Sequence, residues 1–598
     1  MKNFISMTGI VTLFALVGCS QPFSVDDGKI GPPTKMGEFT FLDQEWNAEQ
    51  RDQFYTTLQG NLLIPYKWFF HLETAESTEN AAILFGSDEN IEKLRYLKGR
   101  VTKRNVDRLP VGFTKEEFDT DRWGIKGEEN WLGVTCAACH TNQINFTNPV
   151  TKESYKIRVD GAPTLADFMG FLESLNKALK ATLDNTEKFN RFAENINDPK
   201  LREKIVKVLE IREGWTGRNN PKAEFVGGKQ TVEDGYARLD AFGSIFNEAE
   251  FVASGLVDGV DNDKIFNAEN SNRRRTNAPV SYPFLWGTRW HDWVQWPATA
   301  PRVPIARNFT EVVGVFGRVN IKEQGILSSY ESSMRLENLR RLSDMIVNLR
   351  SPLWPESIFG KIDKSEGSKW AKGKKLFDDH CVKCHEVVRR DEPQKTISVE
   401  LTPLTDLGTD PVMIENFQNR KVDPGKLKGR GLIDSLPFVS LGDKGEVSGT
   451  ELVAHLIARA VSDDLGETAR AFIDLFVTKF GGKFEQKKKD SYKGRPLEGI
   501  WATAPYLHNG SVPTLAQLMM PPKKRDPVFW VGSREFLENE VGFKYENYSA
   551  DEKSYLFEFN TMIDGNSRLG HAYPDQTDEK NRLTEDEIEA LVIYQKSL

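Results

Sequence analysis

Apolar side chains recur at helical spacing along several stretches of this 598-residue chain. The longest such pattern covers about residues 165–212, where the apolar positions are Phe168, Phe171, Leu172, Leu175 and Leu179. Intervals of three and four residues put these side chains on one face of a helix. The same reasoning predicts a mostly helical region over residues 46–97, a helix over residues 368–377, and a last helix with one apolar face formed by Ile588, Leu591 and Val592.

Two helix starts carry the pattern of a capping box, in which a polar side chain and an acid three positions later cap each other's backbone amides. Thr-Glu-Asp-Glu at residues 584–587 predicts where the last helix begins. Asn-Phe-Thr-Glu at residues 308–311 predicts another start, and the helix after it would have an apolar face of Phe309, Val312, Val313 and Phe316. In this interpretation Glu311 has a structural role as a cap.

Other stretches lack helical spacing. Residues 142–158 are typical of short strands and turns. Residues 62–71 form a dense apolar and aromatic run, which is too short to span a membrane and predicts a buried packing element. Residues 351–367 hold two prolines and two glycines among several charges, which indicates a domain boundary. The pattern predicts a mainly α fold with long loops and little β structure, in two domains over residues 39–355 and 356–598.

Composition narrows the class of protein. Hydrophobic residues make up 39% of the chain and charged residues 28%, as in globular proteins, and 598 residues are too many for a single core. The formal net charge is −8 and there is no long basic run, which argues against a nucleic-acid partner. Thirteen tryptophans and 37 phenylalanines would suit the packing of large flat cofactors.

The first residues are typical of an export signal. A short apolar run ends in Leu-Val-Gly-Cys at residues 16–19, which resembles a bacterial lipoprotein cleavage box. The resemblance implies a signal peptide over residues 1–18, lipidation of Cys19 and a flexible tether over residues 19–38. Ser20 resembles outer-membrane sorting, so the expected location is the periplasmic side of the bacterial outer membrane, with the lipid as membrane anchor. An ordinary secretory signal with an incidental cysteine is the alternative.

The pentapeptide Cys-x-x-Cys-His occurs twice, at residues 136–140 and 381–385. It is the attachment signature of c-type haem, in which two thiols form thioether bonds and the histidine becomes an iron ligand. Two covalently bound c-type haems are therefore expected. A four-cysteine zinc site and a redox dithiol are the alternatives, but a histidine directly follows both cysteine pairs and the N-terminus indicates export.

The pentapeptides assign most of the cysteines. Four of the five serve the two haems, and the fifth is Cys19. The haem-attaching residues are Cys136 and Cys139 in the first pentapeptide and Cys381 and Cys384 in the second, with His140 and His385 as the proximal iron ligands. A helix with a small Gly373 before the second pentapeptide, and the amphipathic last helix after it, resemble an enlarged class I cytochrome c fold.

The function of each haem depends on its sixth iron ligand, because a second strong ligand makes an electron carrier and an open position admits O2 or peroxide. His508 is the favoured sixth ligand of the second haem. It stands in a loop that Pro505, Gly510 and Pro513 hold, in the same half of the chain. Methionine is the usual rival, and that half also contains Met413, Met519 and Met520.

The other histidines are better explained by packing or by their position. His380 directly precedes Cys381 and is poorly placed to reach the opposite face of that haem, and His291 stands among four tryptophans that could line a haem pocket. Packing is the favoured interpretation for His71, His455 and His571. Helical patterns explain Met169, Met334 and Met345. The first haem therefore has no evident sixth ligand, and an open site is expected there.

At these residues the chain resembles a known group of proteins. Residues 495–515, with Gly-Ser-Arg-Glu-Phe at 532–536 and Gly-Asn-Ser at 565–567, are similar to di-haem cytochromes of the rubber oxygenase A type. That family includes di-haem fatty-acid dioxygenases of the oleate 10S type, and is distantly related to bacterial di-haem cytochrome c peroxidases. The resemblance begins at about residue 61 and is most specific in the C-terminal motif.

The resemblance implies roles at matching positions. His140 would ligate an oxygen-binding haem, while His385 and His508 would ligate a low-spin haem. Phe316 matches a phenylalanine on the distal side of the active haem, where a bulky apolar group excludes internal ligands and admits O2. Glu311 matches the neighbourhood of an acidic residue that peroxidases use as acid or base. Residues 286–296 resemble a wall between the haems and the substrate.

The sequence thus favours an exported, haem-dependent dioxygenase. Its partners would be O2, an apolar substrate with a C=C bond such as an unsaturated lipid or isoprenoid, and a periplasmic electron donor. Catalysis would take place at the His140 haem, with Phe316 above it, and would give cleavage or a hydroperoxide. A di-haem cytochrome c peroxidase and a non-enzymatic electron-transfer lipoprotein are the alternatives.

Overall fold

The structure is a computed structural model that describes residues 33–120, 122–219, 232–256, 276–321, 330–390, 395–429, 441, 445–461, 489–572 and 582–598. Cys19, the signal peptide and most of the expected tether lie outside the described residues. No helix among the described residues is long and apolar enough to cross a membrane.

The helices of the described residues are mostly short. In chain order they are α1 (Ala48–Thr56), α2 (Trp68–His71), α3 (Asp88–Lys93), α4 (Cys136–Cys139), α5 (Phe168–Asp184), α6 (Thr186–Ile196), α7 (Leu201–Asn219), α8 (Ala241–Ser254), α9 (Pro304–Val313), α10 (Leu336–Val347), α11 (Glu356–Phe359), α12 (Lys369–His380), α13 (Leu404–Leu407), α14 (Val412–Asn419), α15 (Gly449–Val461), α16 (Leu515–Met519), α17 (Ala550–Lys553) and α18 (Glu585–Gln595).

The strands are numerous and also short. They are β1 (Thr34–Met36), β2 (Phe39–Phe41), β3 (Ile64–Pro65), β4 (Phe113–Glu117), β5 (Asn130–Val134), β6 (Thr141–Thr147), β7 (Ser154–Asp160), β8 (Arg238–Leu239), β9 (Val280–Ser281), β10 (Trp293–Val294), β11 (Ala300–Pro301), β12 (Val319–Asn320), β13 (Glu331–Ser332), β14 (Glu400–Pro403), β15 (Lys421–Val422), β16 (Val447–Ser448), β17 (Ser491–Gly494), β18 (Val528–Val531), β19 (Phe536–Leu537), β20 (Gly542–Phe543) and β21 (Phe557–Asn560).

The prediction of a mainly α fold with little β structure is wrong. In the described part of the chain, 21 strands form nine small sheets between the helices, so the fold mixes α and β structure. The largest sheet has the order β1-β2-β7-β6, with β6 antiparallel to β7 and β2 parallel to β7. Most strands have two to five residues, which is too few for an alternating pattern to be recognised in the sequence.

The two long regions that were predicted to be helical have different outcomes. The prediction for residues 165–212 is confirmed as α5, α6 and α7, and the apolar stripe of α5 is buried. Asn185 ends α5 and caps α6 by accepting from the amide of Lys188, and Asn197 ends α6 in the left-handed region. The prediction for residues 46–97 is largely wrong, because that region contains only three short helices between loops and β3. Its apolar run at residues 62–71 is largely buried, as expected.

The two capping boxes also differ. The one at residues 584–587 is confirmed, since Thr584 and Glu587 cap each other's amides at the start of α18. The one at residues 308–311 is wrong, because α9 begins four residues earlier at Pro304, and proline is a common first helical residue. Asn308 lies inside α9, where its amide donates to the Leu339 carbonyl at 2.8 Å and to Ser343 Oγ at 2.9 Å.

Helices α12 and α18, on either side of the second pentapeptide, pack closely against each other. Gly373 makes the approach feasible, because a Cβ there would lie 1.9 Å from the Ala590 carbonyl oxygen. Lys372 forms an ion pair with Asp586 across the same contact, at 2.6 Å. The described residues show this helix pair but do not show the enlarged class I cytochrome c fold that the sequence was expected to form.

The hydrophobic core does not stop at the predicted domain boundary. One cluster of buried side chains contains Phe54, Leu165 and Trp286 from the first half of the chain together with Trp501 and Phe536 from the second. The two halves therefore share a continuous core, and the division at residues 355 and 356 stays a prediction.

Candidate functional site

The first pentapeptide forms a single helical turn, α4, which follows strand β5. Thr135 caps the turn by accepting from the amide of Ala137 at 3.2 Å, and the His140 amide donates to the Cys136 carbonyl at 2.8 Å. The loop at Gly112 presses against this turn. Its φ is +80°, and a Cβ on Gly112 would lie 2.1 Å from the Ala138 nitrogen. The turn is therefore fixed from outside by a position that requires glycine.

A cavity of about 170 Å³ opens beside this turn, and Cys136, Cys139 and His140 all line it. Burial lowers the pKa of His140 to about 4, while a backbone interaction with Pro283 opposes the shift. A neutral imidazole is the form that binds a metal. Two thiols, a neutral histidine and a cavity at one place fit a covalently attached haem.

The cavity wall contains apolar side chains and a few polar groups. The apolar part includes Phe168, Ile245, Val312 and Val315. Among the described lining residues, His140 is the sole imidazole. Gln59 is one of the polar groups, and its amide lies 3.0 Å from Cys136 Sγ.

Glu311 is a lining residue that the sequence interpretation assigned to another role. It sits one helical turn after Arg307 on α9, and both side chains line the His140 cavity. Burial raises the pKa of Glu311, and the nearby Arg307 partly offsets this. The expected capping role depended on a helix start at Asn308. Because α9 begins at Pro304, Glu311 lies inside the helix, where it cannot cap the helix start and lines the cavity instead.

Phe316 is not among the residues that line this cavity. It follows the end of α9 in the left-handed region, with φ of 59°, and it is almost completely buried. Its ring stacks on Trp215 with centroids 4.7 Å apart, and the guanidinium of Arg212 lies 5.3 Å from its centroid. Its neighbours Gly314 and Val315 do line the cavity, so the distal role of Phe316 stays a prediction.

Met413 lines the His140 cavity. The sequence had suggested it as a rival ligand for the second haem, but the residue is buried at the start of α14, in the wall of the cavity beside the first pentapeptide. Met169, Met334 and Met345 are not among the lining residues of that cavity. Met413 is therefore the methionine to consider as a sixth ligand at His140.

The second pentapeptide follows α12 directly. The His385 amide donates to the Cys381 carbonyl at 2.9 Å, which turns the chain as in the first pentapeptide. His385 Nδ1 lies 2.7 Å from the Arg495 carbonyl oxygen and donates to it, which leaves Nε2 for a metal. Gly494 passes so close that a Cβ there would lie 2.1 Å from the Cys384 carbonyl oxygen. Strand β17 thus holds the second pentapeptide in place.

A second cavity lies beside His385, with a volume of about 610 Å³. His508 and His571 both line it, and His380 lies at its wall as well. The His508 carbonyl accepts from the Ser281 amide at 2.8 Å, and its Nε2 lies 3.2 Å from the Tyr492 hydroxyl. Burial lowers the pKa of both His508 and His571 to about 3. The structure thus adds His571, which the sequence analysis assigned to packing, to the candidate ligands.

The two cavities share a wall. Six of the described residues line both of them: Ser281, Tyr282, Pro283, Trp296, Lys493 and Arg495. Trp296 belongs to the tryptophan-rich segment that was expected to form a wall between the haems and the substrate, and that role stays a prediction. His291 of the same segment is fully buried and lines neither cavity. Sequence reasoning missed Lys493 and Arg495, because cations at alternate positions of a strand are commonly on a solvent-facing side.

The two remaining histidines, His455 and His71, were expected to have packing roles. His455 is fully buried inside α15, and its Nε2 lies 3.0 Å from the Tyr330 hydroxyl, which confirms a satisfied core histidine. His71 ends the short helix α2 at the edge of the apolar run.

Residues 491–531 match a family model described as RoxA-like, cytochrome c-like. This segment is therefore similar to RoxA-like cytochromes c. It includes β17, the shared-wall residues Lys493 and Arg495, and the His508 loop. The match supports the RoxA type of cytochromes and implies a c-type haem with its iron, as in a haem-containing oxidoreductase.

Two proteins of Sinorhizobium fredii (strain NBRC 101917 / NGR234) are similar to this chain. The uncharacterized protein y4iJ is 29% identical over 619 aligned residues, which cover 96% of this chain and 95% of y4iJ. The uncharacterized protein y4iM is 36% identical over 84 residues, which cover 13% of this chain and 19% of y4iM. The names of these two relatives state no activity, so among these comparisons the match of residues 491–531 is the one that points to haem chemistry.

Proposed function

We propose that the protein holds two c-type haems and is an oxygenase that acts on a C=C bond of an apolar substrate at the His140 cavity. The observation that carries the proposal is the unequal distribution of imidazoles. His385, His508 and His571 surround one cavity, whereas among the described residues His140 is the sole imidazole of the other. A haem with two strong ligands carries electrons, and a haem with one can bind O2.

The residues of the His140 cavity suit an apolar substrate. Ile245, Val312 and Val315 supply an apolar wall that excludes water and would receive a hydrocarbon chain. A haem bound to Cys136 and Cys139 would supply the iron at which O2 is activated. The close packing of Gly112 against Ala138 holds the turn that carries His140, which supports a fixed position for a proximal ligand.

Reaction with carbon monoxide tests the open position. In the reduced holoprotein we expect one of the two haems to bind CO. Without CO, we expect the protein to take up O2 when oleate is added. Absence of any CO-binding haem would contradict the proposal, and would favour an electron-transfer lipoprotein in which Met413 is the sixth ligand at His140. Met413→Ala is the matched variant: it leaves CO binding unchanged if the position is open, and creates CO binding if Met413 ligates.

A peroxidase is the second candidate, and Glu311 is the observation that favours it. An acid or base near the iron assists cleavage of the O–O bond of peroxide, typically by about 10²- to 10⁴-fold. Glu311 lines the His140 cavity, with Arg307 one turn away. An apolar Phe316 beside the iron would argue against a peroxidase, but Phe316 is not among the residues that line the cavity.

Replacing Glu311 by glutamine separates the two candidates. For an oxygenase we expect O2 uptake with oleate to change less than about tenfold, because the substrate contacts of the cavity are apolar. For a peroxidase, turnover of peroxide with a reduced cytochrome would fall by about 10²-fold or more. Arg307→Gln is the matched control, since it removes the other charge from the same face of α9.

We also propose that the protein is exported, lipidated at Cys19 and bound to the periplasmic side of the outer membrane, where it would meet a periplasmic electron donor. The Leu-Val-Gly-Cys sequence at residues 16–19 supports this. Cys19→Ser should move the holoprotein from the membrane fraction to the soluble periplasmic fraction with both haems attached. Unchanged membrane association in that variant would argue against the lipid anchor.

A further inference from the structure

Lys493 and Arg495 are two cations within the wall that the two cavities share. Both belong to the segment that begins with β17, and both line both cavities. The Lys493 ammonium donates to the Trp293 carbonyl at 3.3 Å. An ammonium has three donors, so this single contact leaves it able to bind an anion.

Arg495 is held firmly, but its hydrogen-bonding capacity is not used up. One terminal nitrogen donates to the Phe284 carbonyl at 3.1 Å and lies near the Trp286 carbonyl and Thr288 Oγ1, and the guanidinium stacks on the Phe284 ring at 3.3 Å. Its Nε is buried, and no hydrogen bond to it is found among the described residues. Buried donors without a partner cost free energy, so a ligand at this place would be stabilised.

Two acids, Glu498 and Asp292, lie near the pair but line neither cavity. Burial raises the pKa of Glu498, the acid beside Arg495, to about 7. Asp292 is the acid that interacts electrostatically with Lys493. Its carboxylate accepts hydrogen bonds from the Val399 amide at 3.0 Å and from the Ser398 hydroxyl at 3.3 Å. Glu311 is the one acid among the described residues lining the His140 cavity.

The charge balance of the His140 cavity is therefore positive. Its described lining has three cations, Arg307, Lys493 and Arg495, and one acid, Glu311. Arg495 is the buried cation of the three, and a buried charge is costly unless an anion or hydrogen-bond partners complete its surroundings.

We infer that Lys493 and Arg495 form a carboxylate-binding pair in the wall between the two cavities. Haem carries two carboxylates, and a haem attached at Cys136 or at Cys381 would lie beside this wall, so the haem carboxylates are the expected ligands. The carboxylate of a fatty-acid substrate is the other source with the same chemistry. The inference rests on the two haems of the proposed function, but it does not depend on whether the reaction is that of an oxygenase.

Arg495 would then connect the two sites. Its backbone carbonyl accepts from His385 Nδ1, and its side chain faces the cavity of His140. Lys493 lies two residues away and borders the same pair of cavities. A charge change at either haem would act on the same two cations, so the reduction potentials of the two haems would be linked.

Lys493→Met in the full-length holoprotein tests the inference, because methionine has similar length and no charge. Redox titration followed by the haem absorption bands should show both midpoint potentials falling, since a lost positive charge favours the ferric state. We expect about a tenfold change in the ratio of reduced to oxidised haem at fixed potential, equivalent to ~59 mV for one electron. Lys493→Arg should restore the original potentials.

Lys188→Met is the matched control. Like Lys493, Lys188 donates to backbone carbonyls, here those of Thr74 and Ala75, but it lines neither cavity. Its replacement should leave both potentials unchanged, even if stability falls. Haem content per chain, measured for every variant, separates a shifted potential from a lost cofactor.

The source of the carboxylate follows from a second measurement. If the potentials of Lys493→Met are unchanged, but KM rises for an unsaturated fatty acid and not for its methyl ester, the pair binds the substrate carboxylate. If neither the potentials nor KM change, the inference is overturned. If no haem binds CO, the proposed open site is wrong, but the midpoint potentials of Lys493→Met still test the carboxylate-binding pair. Failure of the proposed function and failure of this inference can therefore be distinguished.

Discussion

Replacement of His508 by alanine is expected to convert the haem attached at Cys381 and Cys384 from low spin to high spin. His508 lines the cavity of His385 from a loop that two hydrogen bonds between Tyr506 and Val512 close. A loop fixed in this way can present an imidazole to iron without rearrangement, and alanine has no ligand to offer. The change would be seen in the absorption spectrum of the oxidised holoprotein and by electron paramagnetic resonance.

His571→Ala is the matched variant, because His571 lines the same cavity. We expect it to leave the haem low spin. The opposite pair of results, with low spin kept in His508→Ala and lost in His571→Ala, would make His571 the ligand. Tyr492→Phe removes the hydroxyl that lies 3.2 Å from His508 Nε2. It should leave the spin state unaltered, because an imidazole can bind iron without that hydroxyl.

Gly494→Ala should have the largest effect on assembly. The new Cβ would lie 2.1 Å from the Cys384 carbonyl oxygen and 2.8 Å from its carbonyl carbon, and backbone atoms cannot rotate away as a side chain can. Overpacking in a tight site costs about 1–3 kcal/mol, and here the displaced group is the turn that carries both thiols of the second pentapeptide. We expect a lower free energy of unfolding and a loss of haem from that site.

Gly445→Ala is the control for this substitution. A Cβ at Gly445 would meet nothing within 4 Å, so the variant should unfold as the parent does and hold the same amount of haem. The measurements are chemical denaturation of the holoprotein and haem per chain by the pyridine haemochrome spectrum. Full haem content in Gly494→Ala would mean that β17 does not position the second pentapeptide.

Long periodic segments and local motifs could be predicted from the sequence. The stripe beginning at Phe168 and the capping box at Thr584 depend on neighbours within a few residues, and both predictions are confirmed. The many strands could not be predicted, because a two-residue strand such as Ile64–Pro65 is defined by its partner β5 and not by its own sequence. The mainly α prediction failed for this reason.

The site was predictable as far as it depends on covalent chemistry. Cys136, His140 and His385 come from motifs, and a cavity lies beside each motif. Glu311 was misassigned because one polar residue before an acid looks like a cap, whereas Pro304 had already started the helix. The placement of Met413 in the His140 cavity depends on chain crossings that no local pattern records.

The shared wall has a consequence for the order of assembly. His140 stands early in the chain, whereas Lys493 and Arg495 follow it more than 350 positions later. While the chain is being made, the thiols of the first pentapeptide therefore exist for a long time without the strand that encloses them. If the haem that we propose at Cys136 and Cys139 is attached before β17 docks, the first cavity would be completed around its cofactor.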